Sequence, residues 1–456
     1  MKFLRLLIPA LALLFFMSCS TEPPIDYAIF SGTIENPDGD KLTVRGGDFS
    51  QEITVAEDGT FSDTLKIEAG YFTFSHAERS VFYLAPGYNL SLTINTEEFD
   101  ETVKYMGAGS EVNNYMASKI MTEEELIPDA KANYMKDEAV YVAKAEEVKA
   151  AQLANIESLK EVDASFYDLE KRNIMYDHLS SLKNYEGAHS YYVPEDTTFK
   201  VSENLLDGLK ELDYDNSEDY TSFSSYRNLV SSKFIDYRAI TGNPDTITTV
   251  LANIKKLESE KIKNGLMNSF RYYLSPSYAE LTTLYDGIME ISTDQEYKAE
   301  ITEKYNKVKN LVKGKPAPKF NYVNYAGGKM SMDDLSGKYV YFDIWATWCG
   351  PCIREIPYLK EREEQYKDTN VQFVSVSIDP IKDFDKWRQF IVDKELGGIQ
   401  LYADGDWKSS IITDYAIEGI PRFILVDPDG NIVSADAPRP SDPKLAEMLD
   451  GLIAAG

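Results

Sequence analysis

The residues of this chain whose types and spacing most directly permit chemistry are two cysteines separated by Gly and Pro, Cys349-Gly350-Pro351-Cys352. Two intervening residues allow the sulfurs to close into a disulfide and to reopen, so the pair can exchange two electrons with another sulfur pair. A thiolate zinc site needs four ligands. The remaining cysteine is Cys19, and the three histidines, His76, His178 and His189, are distant in sequence, so no metal is expected. A permanently closed structural disulfide is the plainer alternative. A redox-active dithiol is favoured by the spacing and by the position of the pair between a strand and a helix.

The elements flanking the pair are legible. Residues 338–345 form a β-rich apolar run, residues 352–367 carry Ile353, Ile356 and Leu359 at helical spacing, and residues 371–378 read as a second buried strand. Cys349 thus falls where a strand ends and a helix begins. There the free N–H groups and the macrodipole favour an anion, which predicts a thiol pKa lowered from ~8.5 towards ~7. Pro351 is tolerated because its missing N–H would have had no helical partner. Cys349 is therefore the expected attacking thiol and Cys352 the resolving one. A helix over 383–393, a hairpin of 423–426 and 432–434 turning at Asp427-Pro-Asp-Gly430, and a closing helix over 443–455 complete an α/β domain assigned to 313–456.

The rest of the 456 residues divides by composition. Residues 27–105 show short alternating segments broken at Asn36-Pro37-Asp38-Gly39, Asp58-Gly59 and Pro86-Gly87, which predicts an antiparallel β-sandwich. Residues 106–312 are rich in Glu, Lys, Ala, Leu and Tyr and read as a helical middle domain, with charge runs that form solvated faces. Residues 313–318, Lys-Gly-Lys-Pro-Ala-Pro, mark a boundary. A formal charge of −28 with no basic run argues against nucleic-acid binding. At the start, Lys2 and Arg5 precede an apolar stretch too short to span a bilayer, so 1–18 reads as a signal peptide. Phe16-Met17-Ser18-Cys19 resembles the lipobox of bacterial lipoproteins, which implies lipidation of Cys19, a tether over 19–26 and a periplasm-facing position in the cell envelope.

The segment Val340-Tyr-Phe-Asp-Ile-Trp-Ala-Thr-Trp-Cys-Gly-Pro-Cys352 resembles the active-site strand and loop of thioredoxins of the TlpA/ResA-like branch, in lipoproteins of the Bacteroidetes type that carry an N-terminal β-domain. Gly419-Ile420-Pro421 matches that family's cis-proline loop, Arg354-Glu355-Ile356-Pro357 its proline-kinked helix, and the long stretch from Ser377-Ile-Asp379 to Trp407 its insertion. The resemblance implies a C-terminal thioredoxin fold, a catalytic Cys349/Cys352 dithiol without cofactor, and substrate contacts at Trp348, Gly350, Pro351, Ile420 and Pro421. It also gives Asp343 and Glu355 candidate roles as acceptors of the Cys352 proton, a choice the sequence leaves open.

The implied activity is thiol–disulfide exchange, with reduction of disulfides in exported proteins favoured. The Gly-Pro pair matches reducing thioredoxin, at about −270 mV, and not the strong oxidant at about −120 mV. Implied partners are disulfide-containing envelope proteins, apocytochrome c among them, and a membrane electron donor of the CcdA/DsbD kind. Two alternatives stand beside this. One is a thiol peroxidase of the AhpC/TSA type, although its signature Thr or Ser is replaced here by Ala346. The other is a partner-binding lipoprotein whose redox site is secondary.

Overall fold

The computed structural model describes residues 25–47, 49–243 and 246–455. The segment read as a signal peptide, Cys19 and the expected tether through Pro24 lie outside the described residues. Among those described, no helix is long and apolar enough to cross a membrane. The chain forms two compact units. One runs to Leu212 and includes Thr221–Leu229; the other holds Asp213–Tyr220 and everything from Val230. The division therefore passes through the helical stretch and not through its ends.

The first unit opens with strands β1 (Tyr27–Glu35), β2 (Lys41–Gly46), β3 (Phe49–Thr54), β4 (Thr60–Lys66), β5 (Gly70–His76), β6 (Glu78–Leu84), β7 (Asn89–Asn95) and β8 (Lys104–Ala108). They make two four-stranded sheets, ordered β4-β1-β7-β8 and β3-β2-β5-β6. Inward-pointing residues of both sheets share one core, where Phe30 meets Phe82 at a ring separation of 4.9 Å. The expectation of a purely antiparallel arrangement is corrected at one pairing. β1 and β7 run parallel, from Ile29 opposite Asn89 to Glu35 opposite Asn95, so the first sheet is mixed. Five strands separate the two in sequence, and no hairpin turn dictates their relative direction. Gly32 sits in the middle of β1 because a side chain there would fall 2.1 Å from the Leu92 carbonyl oxygen.

Helices Ser110–Leu126, Glu138–Ile156 and Ala164–Tyr192 follow, the last begun by the Asp163 carboxylate, which accepts from the Phe166 N–H at 2.9 Å. They pack through a core of Tyr83, Met116, Ile156, Phe166 and Ile174. Inside lies a buried ion pair. Glu170 accepts from Lys119 Nζ at 2.8 Å, from Asn173 at 3.0 Å and from the hydroxyls of Tyr71 and Tyr115.

The second unit carries helices Thr246–Lys255, Glu260–Asn268, Leu281–Ile291 and Gln295–Val308, then a seven-stranded sheet of β9 (Asn321–Asn324), β10 (Lys329–Ser331), β11 (Tyr339–Trp345), β12 (Val371–Ser377), β13 (Ile399–Tyr402), β14 (Arg422–Val426) and β15 (Ile432–Ser434). The order is β10-β9-β13-β12-β11-β14-β15, with β11, β12 and β13 parallel and β14 antiparallel to β11. Alternation along central β11 sends Val340, Phe342 and Ile344 into the layer of helix Phe384–Asp393. Tyr341 enters the opposite layer, where helices Gly350–Tyr366 and Pro443–Ala455 contribute Leu359, Leu445 and Leu449. Asp343 shares the parity of Tyr341 and so faces helix Gly350–Tyr366. The connection at 313–318 lies along the hairpin, with the Gly314 N–H donating to Ile432 and the Ala317 N–H to Gly430.

Candidate active site

The C-terminal end of β11 delivers the chain into a short loop whose conformation is fixed by a buried acid. Asp379, fully buried at the end of β12, accepts from the Thr347 N–H at 3.1 and 3.0 Å, from the Thr347 hydroxyl at 2.7 Å and from the Ser377 hydroxyl at 2.7 Å. Its own carbonyl accepts from Tyr402 at 2.7 Å. A buried carboxylate held by four such bonds is satisfied without a cation. Asp379 is a site residue that sequence reasoning placed only at the start of an insertion. The Ser-Ile-Asp run directly after a buried strand was the available signal.

Two residues beyond Thr347, Cys349 caps helix Gly350–Tyr366. Its Sγ accepts from the Cys352 N–H at 3.2 Å, and Pro351 occupies the first turn. Cys349 and Cys352 are joined as a disulfide with Cα atoms 5.3 Å apart, and both are buried. The helix N-terminus that would stabilise a thiolate therefore points at the sulfur, as the spacing predicts. Beside it Trp348 is 47% exposed and pairs with Trp407, 41% exposed, at a ring separation of 6.3 Å.

The peptide bond between Ile420 and Pro421 is cis. Because Arg422 lies opposite Ile344 in the β14–β11 register, Pro421 sits level with the end of β11, on the strand neighbouring the cysteine loop. Glu418, in the same loop, pairs with Lys304 of helix Gln295–Val308 at 3.0 Å.

The two candidate proton acceptors occupy different surroundings. Asp343 lines a small cavity together with Cys352, Trp345, Ser375, Glu363, Lys360 and Gln400. Burial, reinforced by the nearby Glu355 and Glu363 carboxylates, raises its pKa to about 8. Glu355 is also buried, but its oxygens are engaged elsewhere. Oε1 accepts from the Ser441 hydroxyl at 2.9 Å and Oε2 from the Ser441 N–H at 3.1 Å, with Arg439 3.8 Å away. Glu355 does not line the cavity beside Cys352. The second acid that does is Glu363, two turns further along the same helix and pushed up to about 7 by burial. Sequence reasoning missed it, since an acid in the run Glu361-Arg-Glu-Glu364 reads as a solvated helix face. Among the described residues no group of three or more metal-ligating side chains occurs.

Residues 313–435 match the AhpC/TSA family. The chain is 28% identical over 153 residues to the thiol-disulfide oxidoreductase ResA of Bacillus cereus, an alignment covering 32% of this chain and 81% of that protein. It is 32% identical over 124 residues to ResA of Bacillus anthracis, covering 26% and 66%. Among solved structures it is similar to a candidate thiol-disulfide oxidoreductase of Bacteroides vulgatus, at 46% identity over 31% of this chain and 91% of that one, with a TM-score of 0.28. A thiol-disulfide oxidoreductase of Bacteroides fragilis matches at 28% identity over 30% and 99%, with a TM-score of 0.28. The Cys349/Cys352 pair and its strand-to-helix setting agree with the curated relatives: residues 313–435 carry an AhpC/TSA-family domain similar to the ResA-type thiol-disulfide oxidoreductases.

Proposed function

We propose that this enzyme is an envelope reductase of protein disulfides, anchored through lipid on Cys19 and facing the periplasm. The observation that carries the reading is the dithiol at a helix N-terminus, with a buried, uncharged-leaning acid lining the cavity behind Cys352. Cys349 as thiolate attacks a substrate disulfide and forms a mixed disulfide, releasing one substrate sulfur as a thiolate. Cys352 then gives its proton to Asp343 and attacks the Cys349 sulfur. The intramolecular disulfide forms, the mixed disulfide breaks, and the substrate leaves fully reduced. A carboxyl group with a pKa near 8 suits both halves of that transfer near neutrality. Trp348, Gly350, Pro351, Ile420 and Pro421 frame the sulfurs and take the substrate segment. Glu355 tunes Asp343 by charge and holds Ser441.

The enzyme ends each turnover oxidised and is recharged by a membrane donor of the CcdA/DsbD kind. Apocytochrome c thiols are one substrate class the reading includes. The test is the equilibrium reduction potential of the Cys349/Cys352 pair in the soluble protein from Ser20 onward. A value near or below about −250 mV supports the reductase, and one above about −150 mV makes it an oxidase.

The AhpC/TSA match favours one second reading, a thiol peroxidase. Against it, Ala346 stands where the peroxidase signature has a hydroxyl, and the neighbouring Thr347 hydroxyl is committed to Asp379. Consumption of hydrogen peroxide by the reduced protein, faster than reduction of a protein disulfide, would replace the reductase reading with this one.

A further inference from the structure

The cavity behind Cys352 has a second carboxylate at its outer side and a glycine mouth. Glu363 is half-buried, and its seat is made by Gly397 and Gly398: a side chain at 397 would fall 2.4 Å from Glu363 Oε2, and one at 398 would fall 2.8 Å from Oε1. Both glycines are solvent-exposed, so the carboxylate spans from the cavity to the surface. Two further lining residues hold buried polar atoms without a protein partner, Gln400 Oε1 and Trp345 Nε1. The lining is polar, and the room inside, about 10 Å³, is at most that of a single water. Lys360, on the same helix, donates to the Lys394 carbonyl at 2.6 Å.

We infer that Glu363 is a positioning residue of the proton path, carrying to solvent at the Gly397–Gly398 mouth the proton that Asp343 takes from Cys352. This rests on the reading of Asp343 as the base. The step balances simply: the Cys352 S–H bond breaks, its electron pair forms the bond to the Cys349 sulfur, and the proton passes from Asp343 to Glu363 to bulk water. The substrate sulfur leaves with the electrons of the mixed disulfide. The titratable and charged groups shown around Glu363 are Lys360 on its own helix and Asp343 and Cys352 across the cavity. Of these, Lys360 favours the ionised form of Glu363, and Glu363 in turn opposes ionisation of Asp343.

The test isolates the resolving step. The reduced soluble protein from Ser20 onward is reacted with an aromatic disulfide to load Cys349 with a thionitrobenzoate group, and release of the coloured thiolate by Cys352 is followed by stopped flow across pH. The native rate should rise with pH through a midpoint set by Asp343. Glu363→Gln removes a neighbouring negative charge and should move that midpoint down by about one pH unit while lowering the plateau several-fold. Glu363→Asp, which keeps the charge, should restore the midpoint. A midpoint in Glu363→Gln equal to the native one overturns the inference, whatever happens to plateau or thermal stability. Asp343→Asn separates the two layers. If it leaves the profile unchanged, the base assignment itself fails. If it flattens the profile while Glu363→Gln leaves it intact, only the role of Glu363 fails.

Discussion

Two buried carboxylates, one in each compact unit, show how the same functional group is put to opposite uses. Glu170 is surrounded by donors: a lysine ammonium, an amide and two phenols, all aimed at its two oxygens. Burial, reinforced by the Glu170 charge, raises the Tyr71 and Tyr115 pKa values, and the same charge helps to hold Lys119 protonated against its own burial. Asp343 has the Ser375 hydroxyl as a donor, and Lys360 lines the same cavity. The aspartate shares its surroundings with two further acids, and burial leaves it with a pKa of about 8. A buried acid with a full complement of donors is a structural tie, whereas one left with few of them and placed among other acids can take up and give back a proton.

The comparison is broken most completely at the sulfurs it serves. Cys349→Ser should reduce turnover of a protein disulfide to the uncatalysed background, and Cys352→Ser should accumulate a covalent mixed disulfide that mass spectrometry detects on Cys349. Asp343→Asn should come next, slowing the resolving step at pH 7 by about 10²-fold.

That substitution also has a stability signature. The folded-state pKa of Asp343 lies above its unfolded value, so the native protein binds the proton more tightly, and stability declines as pH rises from about 4 to about 8. Asp343→Asn should remove that decline and stabilise the oxidised protein at pH 8 by roughly 3–5 kcal/mol, read from denaturant unfolding at several pH values. Glu170→Gln should do the reverse, destabilising the first unit by about 3 kcal/mol at neutral pH because Lys119 loses its buried counter-charge, while disulfide turnover stays unchanged. The smallest effect belongs to Glu355→Gln. It should weaken the hold on Ser441 by about 1 kcal/mol and lower the Asp343 midpoint slightly, measurable by NMR titration of the aspartate.

Much of the redox domain was legible because its signals are local. The Gly-Pro pair, the apolar run before it, the helical spacing of Ile356 and Leu359, and the Asp427-Pro-Asp-Gly430 turn each report on neighbours a few residues away, and the structure has the corresponding elements. What escaped depends on partners far along the chain. The parallel direction of β7 against β1 is not written in the alternation of either strand. β1, with Ala28, Phe30 and Ile34 inward, and β4 and β8 were not singled out as segments. Glu363 reads as surface until Gly397 and Gly398, more than thirty residues later, close over it. Asp379 reads as a loop acid until Thr347 is seen against it.

The grip of Asp379 on Thr347 bears on what a change of the enzyme's oxidation state leaves in place. The peptide leading into Cys349 is fastened by oxygen and nitrogen alone, with Ser377 and Tyr402 bracing the fastening from behind. Opening the sulfur–sulfur bond releases none of those contacts. The fastening of the loop is therefore independent of whether the two sulfurs are joined. What holds the approach to the cysteines in place is thus chemically separate from what the cysteines do, and a change of oxidation state costs that anchorage none of its bonds.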